Sequence, residues 1–189
     1  MLLNTAATSF ALGYTPVMRV LGVDCGGEYT GFGVVEGDGR TLVSLTSGAI
    51  RLSPKEALEI RLKKVFDGLS ALLVKYQPEV VAIEDVFYSV NAKSALKLGH
   101  VRGVAMMSAA HHGLAVVAYA PLAIKSAVVG YGRAEKSQVQ VMVARLLHLD
   151  EIPQPADAAD ALAIAICHIH TSATLLRQGT AATPRAGKS

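Results

Sequence analysis

Four carboxylates in three places could do chemistry in this sequence. Asp24 follows the run Val20-Leu21-Gly22-Val23 and precedes Cys25-Gly26-Gly27. Glu84 ends the run 79–83 (EVVAI), and Asp157 and Asp160 lie three residues apart further on. On a helix that last pair projects from one face. Each place also has an ordinary reading. Asp24 suits an Asp-Gly turn after a strand, and Asp157 and Asp160 suit a helix cap and a first-turn acid, where free amides and the helix dipole favour negative charge. Convergence would change the reading, because two like charges 4 Å apart repel by about 4 kcal/mol at an effective dielectric of 20. Four such groups would meet only around cations. Ligands that are all oxygen favour hard divalent ions, and Mg²⁺ is typically shared with phosphate oxygens. Two such ions serve the in-line hydrolysis of a phosphodiester.

The elements that must bring these acids together are readable in part. Residues 18–23 form a short buried strand with Asp24 at its carboxyl end, and Gly26 and Gly27 let a backbone or a phosphate come close. Residues 30–36 and 41–51 read as strands joined by Gly37-Asp38-Gly39-Arg40, a hairpin signal. Ser53-Pro54-Lys55-Glu56 predicts a helix start, with Ser53 as cap and Glu56 reaching back. That helix keeps its apolar period from Leu58 to about Tyr76, and Gln77-Pro78 stops it. A strand over 79–83, a helix over 91–112, a strand over 114–119 and a short helix after Pro121 follow. Helices over 135–148 and 157–172 complete the order. Three hairpin strands followed by alternating helix and strand predict an α/β fold: a mixed five-stranded sheet, three strands antiparallel and then two parallel, flanked by helices. A right-handed crossover sets the strand ending at Glu84 parallel to the one ending at Asp24. Neighbouring strands would then hold both acids at their carboxyl ends, where open sheets place ligands.

Composition narrows the class. With 189 residues, 51% hydrophobic and 17% charged, the chain fits one domain with a real core rather than a disordered segment. A net charge of +3 is compatible with a nucleic-acid partner without requiring one. Cys25 and Cys167 have no metal-ligand spacing, which argues against a disulfide framework or structural zinc and fits a reducing, cytoplasmic compartment. No apolar run is read as long enough to span a bilayer, so no membrane is expected. Residues 1–17 carry no Lys or Arg and are broken by Gly13, Thr15 and Pro16, a poor secretory signal. They are read as a flexible extension before a domain over 18–172, and 173–189 as a disordered basic tail.

Five stretches together resemble the RuvC family of crossover-junction endonucleases. They are Gly22-Val23-Asp24-Cys25-Gly26, Ala82-Ile83-Glu84-Asp85-Val86-Phe87, Asn91-Ala92-Lys93-Ser94-Ala95-Leu96-Lys97-Leu98-Gly99, Ala134-Glu135-Lys136-Ser137-Gln138-Val139 and Ala156-Asp157-Ala158-Ala159-Asp160-Ala161-Leu162-Ala163. The resemblance covers about residues 18–172, in family order and at family spacing. It implies a ribonuclease H-like fold, a homodimer, and two Mg²⁺ ions per active site with Mn²⁺ as a substitute. Asp24, Glu84, Asp157 and Asp160 fall on the family's catalytic, metal-holding carboxylates. The implied activity is paired symmetric nicking of four-way (Holliday) junction DNA in recombination and repair, in the company of the RuvA–RuvB branch-migration complex. Cys25 and Asp85 depart from the proline and glutamine common in the family, and Glu28-Tyr29 from a commoner basic or small pair. Cys25 reads as packed and inert; Asp85 reads either as a further charge at the metal site or as a solvent-facing acid.

Basic residues that could neutralise phosphates follow the acidic strands: Lys93, Lys97 and Arg102, then Lys125, Arg133 and Lys136. Each alone is as well explained by a solvated helix surface. Lys125 and Lys136 match lysines that the resemblance places near the scissile phosphate. Phe87, followed by Tyr88, matches a family position where an aromatic inserts beside an unpaired base, a stacking worth about 1–3 kcal/mol. Met106 and Met107 fit a dimer seam or an ordinary core equally, and the histidines read as helix-end or surface residues. Three rivals remain. A phosphotransferase of the actin and sugar-kinase type needs two such domains. A non-catalytic junction binder would have lost a carboxylate. For an RNA-trimming relative, the lysine-bearing segments at 91–99 and 134–139 fit poorly.

Overall fold

The computed structural model describes residues 16–85 and 92–181, the side chains of residues 92, 93, 180 and 181 excepted. In chain order these form β1 (Met18–Cys25), β2 (Tyr29–Gly37), β3 (Leu42–Arg51), α1 (Leu58–Tyr76), β4 (Val80–Glu84), α2 (Ala92–His111), β5 (Ala115–Tyr119), α3 (Pro121–Val129), α4 (Lys136–Leu146) and α5 (Ala156–Ala181). The sheet order is β3-β2-β1-β4-β5. β1, β2 and β3 pair antiparallel, whereas β4 pairs parallel with both β1 and β5. This is the predicted mixed sheet.

The hairpin between β2 and β3 closes where the sequence places it. Asp38 accepts hydrogen bonds from the amides of Arg40 and Thr41, both at 2.8 Å, and Gly39 takes a φ of +84°. The start of α1 is a correction. The helix begins at Leu58, and its cap residue Ala57 makes no side-chain bond. Ser53 accepts from the Lys55 amide at 3.3 Å inside a separate turn, and Glu56 pairs forward with Lys64 instead of reaching back. The signature was right in type and one turn early, because the chain must first leave the sheet edge where Leu52 is buried.

Helices cover both faces, and the alternation of side chains along each strand divides the core. Val20, Val80 and Ala82 face α3, α4 and α5, packed with Leu162, Ile164, Ile166 and Ile169. Leu21, Val23, Val81 and Ile83 face α1 and α2, packed with Val65, Leu69, Leu73, Val101 and Ala105. α5 is apolar nearly all round, as a helix buried between a sheet and two other helices must be. Contrary to the sequence reading, its stretch Ala156–Gly179 is long and apolar enough for a membrane span, but most of its apolar part is buried inside the protein, as in a core helix.

The helix also outruns the expected end at 172 and continues to Ala181. Ala173 is buried against the β2–β3 turn, 2.5 Å from where a Cβ on Gly39 would stand, so packing carries the helix into part of the segment read as tail.

Candidate active site

β1 and β4 run parallel in register, with Val23 opposite Ile83. The next residue on each is an acid, so Asp24 and Glu84 leave the sheet side by side. By alternation both point to the α5 face, following Val20 and Ala82, whereas Cys25 and Asp85 point to the α1–α2 face.

α5 brings the other two acids to the same end by lying directly on strand backbone. A Cβ on Gly22 would stand 2.0 Å from the Ala161 carbonyl oxygen, one on Gly31 2.0 Å from the Asp157 carbonyl oxygen, and one on Gly33 2.7 Å from a Leu162 methyl. Only glycine permits this approach. The sequence reading looked instead to Gly26 and Gly27. Gly26 packs against the Tyr29 backbone, 3.6 Å separating its would-be Cβ from Asp157 Oδ1, and Gly27 stands in open space.

Asp24, Glu84 and Asp160 line one cavity of about 240 Å³ together with Lys125 and Lys136, and Pro121, Ile124, Val139, Ala163 and Ile164 complete its walls. Asp157 does not line it, yet its charge is felt at Asp24. Burial first, then Asp160, Glu84 and Asp157, push the Asp24 carboxyl up to about 7, against a smaller opposing pull from Lys136. Glu84 is raised as well, by burial and then by Asp160, with Lys136 and Lys125 opposing. Lys136 donates to Asp160 at 2.5 Å, and that bond holds its ammonium above the usual lysine range.

Lys136 owes its place to a capping box the sequence reading did not use. Glu135 caps α4 by accepting from the Gln138 amide, while Gln138 Oε1 accepts from the Glu135 amide at 2.9 Å and from the Tyr131 hydroxyl at 2.9 Å. The pattern Glu-x-x-Gln before an apolar period was the available signal.

The donor set suits a hard divalent cation: all oxygen, anionic, with one carboxyl driven toward protonation by burial and then by its neighbours. Among the described residues, no three carboxylate, imidazole or thiol side chains stand close enough to surround an ion as they lie. Asp160 is turned onto the Lys136 ammonium, a cation already among the acids.

The remaining predicted residues scatter. Arg102 sits on the α1–α2 face and pairs with Asp85 at 3.1 Å, so neither enters the cavity. Of the two readings of Asp85 the solvent-facing one fits: its side chain is 48% exposed and paired with Arg102, away from the cavity. Cys25 packs on the same face, where burial and then the Asp24 charge push its thiol up to about 12, leaving it neutral and unreactive. Lys97 is exposed beside a second depression of about 350 Å³ lined also by Gly27, Glu28, Pro54, Arg61, Ser94 and Leu98. Arg133 is exposed between α3 and α4. Phe87 and Tyr88 lie outside the described residues, as does the side chain of Lys93. His168, expected at the surface, is 8% exposed and bonded to Tyr119.

Residues 20–168 match the family model described as crossover junction endodeoxyribonuclease RuvC. The crossover junction endodeoxyribonuclease RuvC of Koribacter versatilis is 66% identical over 161 residues, spanning 85% of this chain and 97% of that protein. That of Acidobacterium capsulatum is 58% identical over 168 residues, spanning 85% and 98%. Among solved structures, T. thermophilus RuvC in complex with a Holliday junction substrate superposes with a TM-score of 0.79 at 34% identity, covering 86% of this chain and 97% of that one.

Proposed function

This chain belongs to the RuvC family of crossover junction endodeoxyribonucleases, and from that membership we propose that Asp24, Glu84, Asp157 and Asp160 hold its metal and carry its catalysis. The enzyme is a Holliday junction resolvase that hydrolyses phosphodiester bonds, in a family that is metal-dependent. The observation carrying the assignment is the meeting of acids from β1, β4 and α5 at one cavity beside two lysines. Two Mg²⁺ ions, or Mn²⁺ in their place, are the cofactor that this all-oxygen set suits. Bound there, they supply Lewis-acid stabilisation of the charge on the phosphoryl group and lower the pKa of water.

The chain's own groups do the rest. Lys136 neutralises Asp160 in the resting site and is free to turn to the scissile phosphate when cations take over the carboxylates. Lys125, which lines the same cavity, offers a second ammonium to the same phosphate. Ile124, Val139 and Ile164 give the cavity an apolar side, which strengthens every electrostatic contact inside it. Lys97 and Arg133 are exposed for phosphates of the junction arms, and Phe87, Tyr88 and Lys93 complete the proposed DNA contacts. Arg102 joins them only by leaving Asp85.

A homodimer seam is supported by α2. Leu96, Met106 and Met107 are 62%, 39% and 59% exposed, and a Cβ on Gly99 or Gly103 would meet nothing within 4 Å. These positions share a stripe, small in the middle and apolar at the ends, that a second copy of the helix would cover. Two sites held in one dimer would nick two strands of like polarity symmetrically, in the cytoplasm and alongside the RuvA–RuvB complex.

The test is a synthetic four-way junction incubated with protein and Mg²⁺, with nicks mapped on all four strands. Paired, symmetric nicks are expected. Asp24→Asn should abolish them and leave junction binding in place, and cutting by that variant at the parent's rate would overturn the assignment.

A further inference from the structure

Tyr119 and Glu84 are register partners on β5 and β4, so both side chains leave the sheet toward α5. The Tyr119 hydroxyl lies 2.8 Å from His168 Nδ1, and His168 Nε2 lies 3.3 Å from the Ser172 hydroxyl. The two rings also meet edge to face at 5.8 Å. Burial lowers the pKa of His168, and a neutral imidazole offers one donor and one acceptor, which suits a link in a chain of hydrogen bonds. On α5, His168 lies two turns beyond Asp160 on one stripe, about 12 Å along the axis, with the cavity residue Ile164 between them.

We propose that Tyr119 and His168 are positioning residues that fix where Asp160 and Asp157 stand relative to Glu84. The reason lies in the other contact of α5. Against β1 and β2 the acid-bearing end of the helix meets Gly22, Gly31 and Gly33, a surface without side-chain ridges, and Val20 and Val35 pack against it only further along. Such a surface sets how close the helix comes but does little to stop it sliding or turning, since interdigitated side chains are what lock packed elements. The acids at the N-terminal end of α5 also face like charges on β1 and β4. A directional bond between α5 and the edge of the same sheet resists both movements. His170, on another stripe, adds a bond to the Ala127 carbonyl oxygen at 2.9 Å, but that ties α5 to α3 and not to the sheet.

This inference rests on the carboxylate assignment made above, and one set of measurements separates the two. Mn²⁺ binding to the full-length protein is followed by loss of the free-ion paramagnetic resonance signal, and junction cutting is followed against Mg²⁺ concentration. Tyr119→Phe removes one hydroxyl. It should weaken Mn²⁺ binding by up to about tenfold, the lower end of what loss of a bond made directly to a ligand costs, and raise the Mg²⁺ needed for half-maximal cutting by a similar factor. His168→Ala should do the same, and His168→Asn, whose δ atoms match Nδ1, should restore most of the loss. Ser70→Ala is the comparison: Ser70 shares a 3.1 Å bond with Ser108 between α1 and α2, on the other face of the sheet. It should lower the melting temperature and leave the metal response within twofold. Equal metal responses of Tyr119→Phe and Ser70→Ala would overturn the proposal, and so would failure of His168→Asn to recover. If Asp24→Asn binds Mn²⁺ as well as the parent does, the carboxylate assignment fails instead.

Discussion

A single methyl group at Gly22 tests how the acids are brought together. The Cβ of alanine there would stand 2.0 Å from the Ala161 carbonyl oxygen and 2.8 Å from the Ala165 amide nitrogen, both helix backbone. Since Cβ contacts essentially stop at 3.0 Å, β1 and α5 must part by about 1 Å, the scale at which overpacked cores respond. Asp24 lies two residues beyond Gly22, and Asp160 immediately precedes Ala161, so the displacement falls on the site itself. A misplacement of about 1 Å costs on the order of 10²-fold in rate, whereas overpacking costs about 1–3 kcal/mol of stability, which a typical domain survives. Gly22→Ala should therefore remain folded by circular dichroism, bind a four-way junction within a few-fold of the parent, and cut it about 100-fold more slowly in single turnover at saturating Mg²⁺. Gly27→Ala is the control, since a Cβ there meets nothing within 4 Å, and its rate should be unchanged. Folded Gly22→Ala protein cutting within threefold of the parent would refute the argument that glycine contact sets the geometry.

The other predictions follow from single groups. Asp24, raised from 3.8 to about 7, holds its proton more tightly in the folded chain than in the unfolded one. The metal-free protein should thus lose up to about 4 kcal/mol of stability as pH rises from about 4 to 7. Melts in chelator at pH 5 and 7.5 check this, with Mg²⁺ recovering more at pH 7.5 and Asp24→Asn flattening the slope; a pH-independent melt would contradict it. Asp85→Asn should cost about 1 kcal/mol or less, as for a part-exposed ion pair, and leave the Mg²⁺ requirement for cutting within twofold. A larger shift would show that Asp85 reaches the metal from the far face. Phe87→Ala should slow cutting more than it lowers the melting temperature, and an unchanged cutting rate would count against a stacking role.

Local signals made most of this fold legible. The Asp38-Gly39 turn fixed one hairpin, and the handedness of the crossover set β4 beside β1, which suffices to align Asp24 with Glu84. Alternation along the strands also separates Asp85 from Glu84, so the finding that Asp85 faces α2 followed from a rule already in hand. Legibility ended where an outcome depends on which element crosses which. Gly22, Gly31 and Gly33 announce close approach to something, but only the assembled layers say that it is α5. His168 looked like a helix-end residue because its partner Tyr119 lies 49 positions away. Ser53 and Glu56 failed for a related reason: a capping box states that a helix is near, and the burial of Leu52 decides where it can begin.

The placement of α5 also explains how the fold tolerates the site. Acids buried and crowded at one end of a sheet oppose folding, and the rise of Asp24 to about 7, from burial first and then from its acidic neighbours, reflects both costs. Two features offset them. Asp157 occupies the first turn of the helix, where the dipole favours negative charge by about 0.3–1 kcal/mol, and Asp160, one turn on, is paired with Lys136. Beyond them the same helix buries Leu162, Ile164, Ile166 and Ile169 almost completely, each worth about 1.5–3 kcal/mol. Those four residues outweigh the cost of one unmet carboxylate, so the helix stays on the sheet before any cation arrives, with Lys136 on Asp160 in the meantime. A site built on a less apolar helix would have to wait for metal in order to fold. Here the core holds the acids in readiness, and the cost of crowding remains as stability to be regained when cations bind.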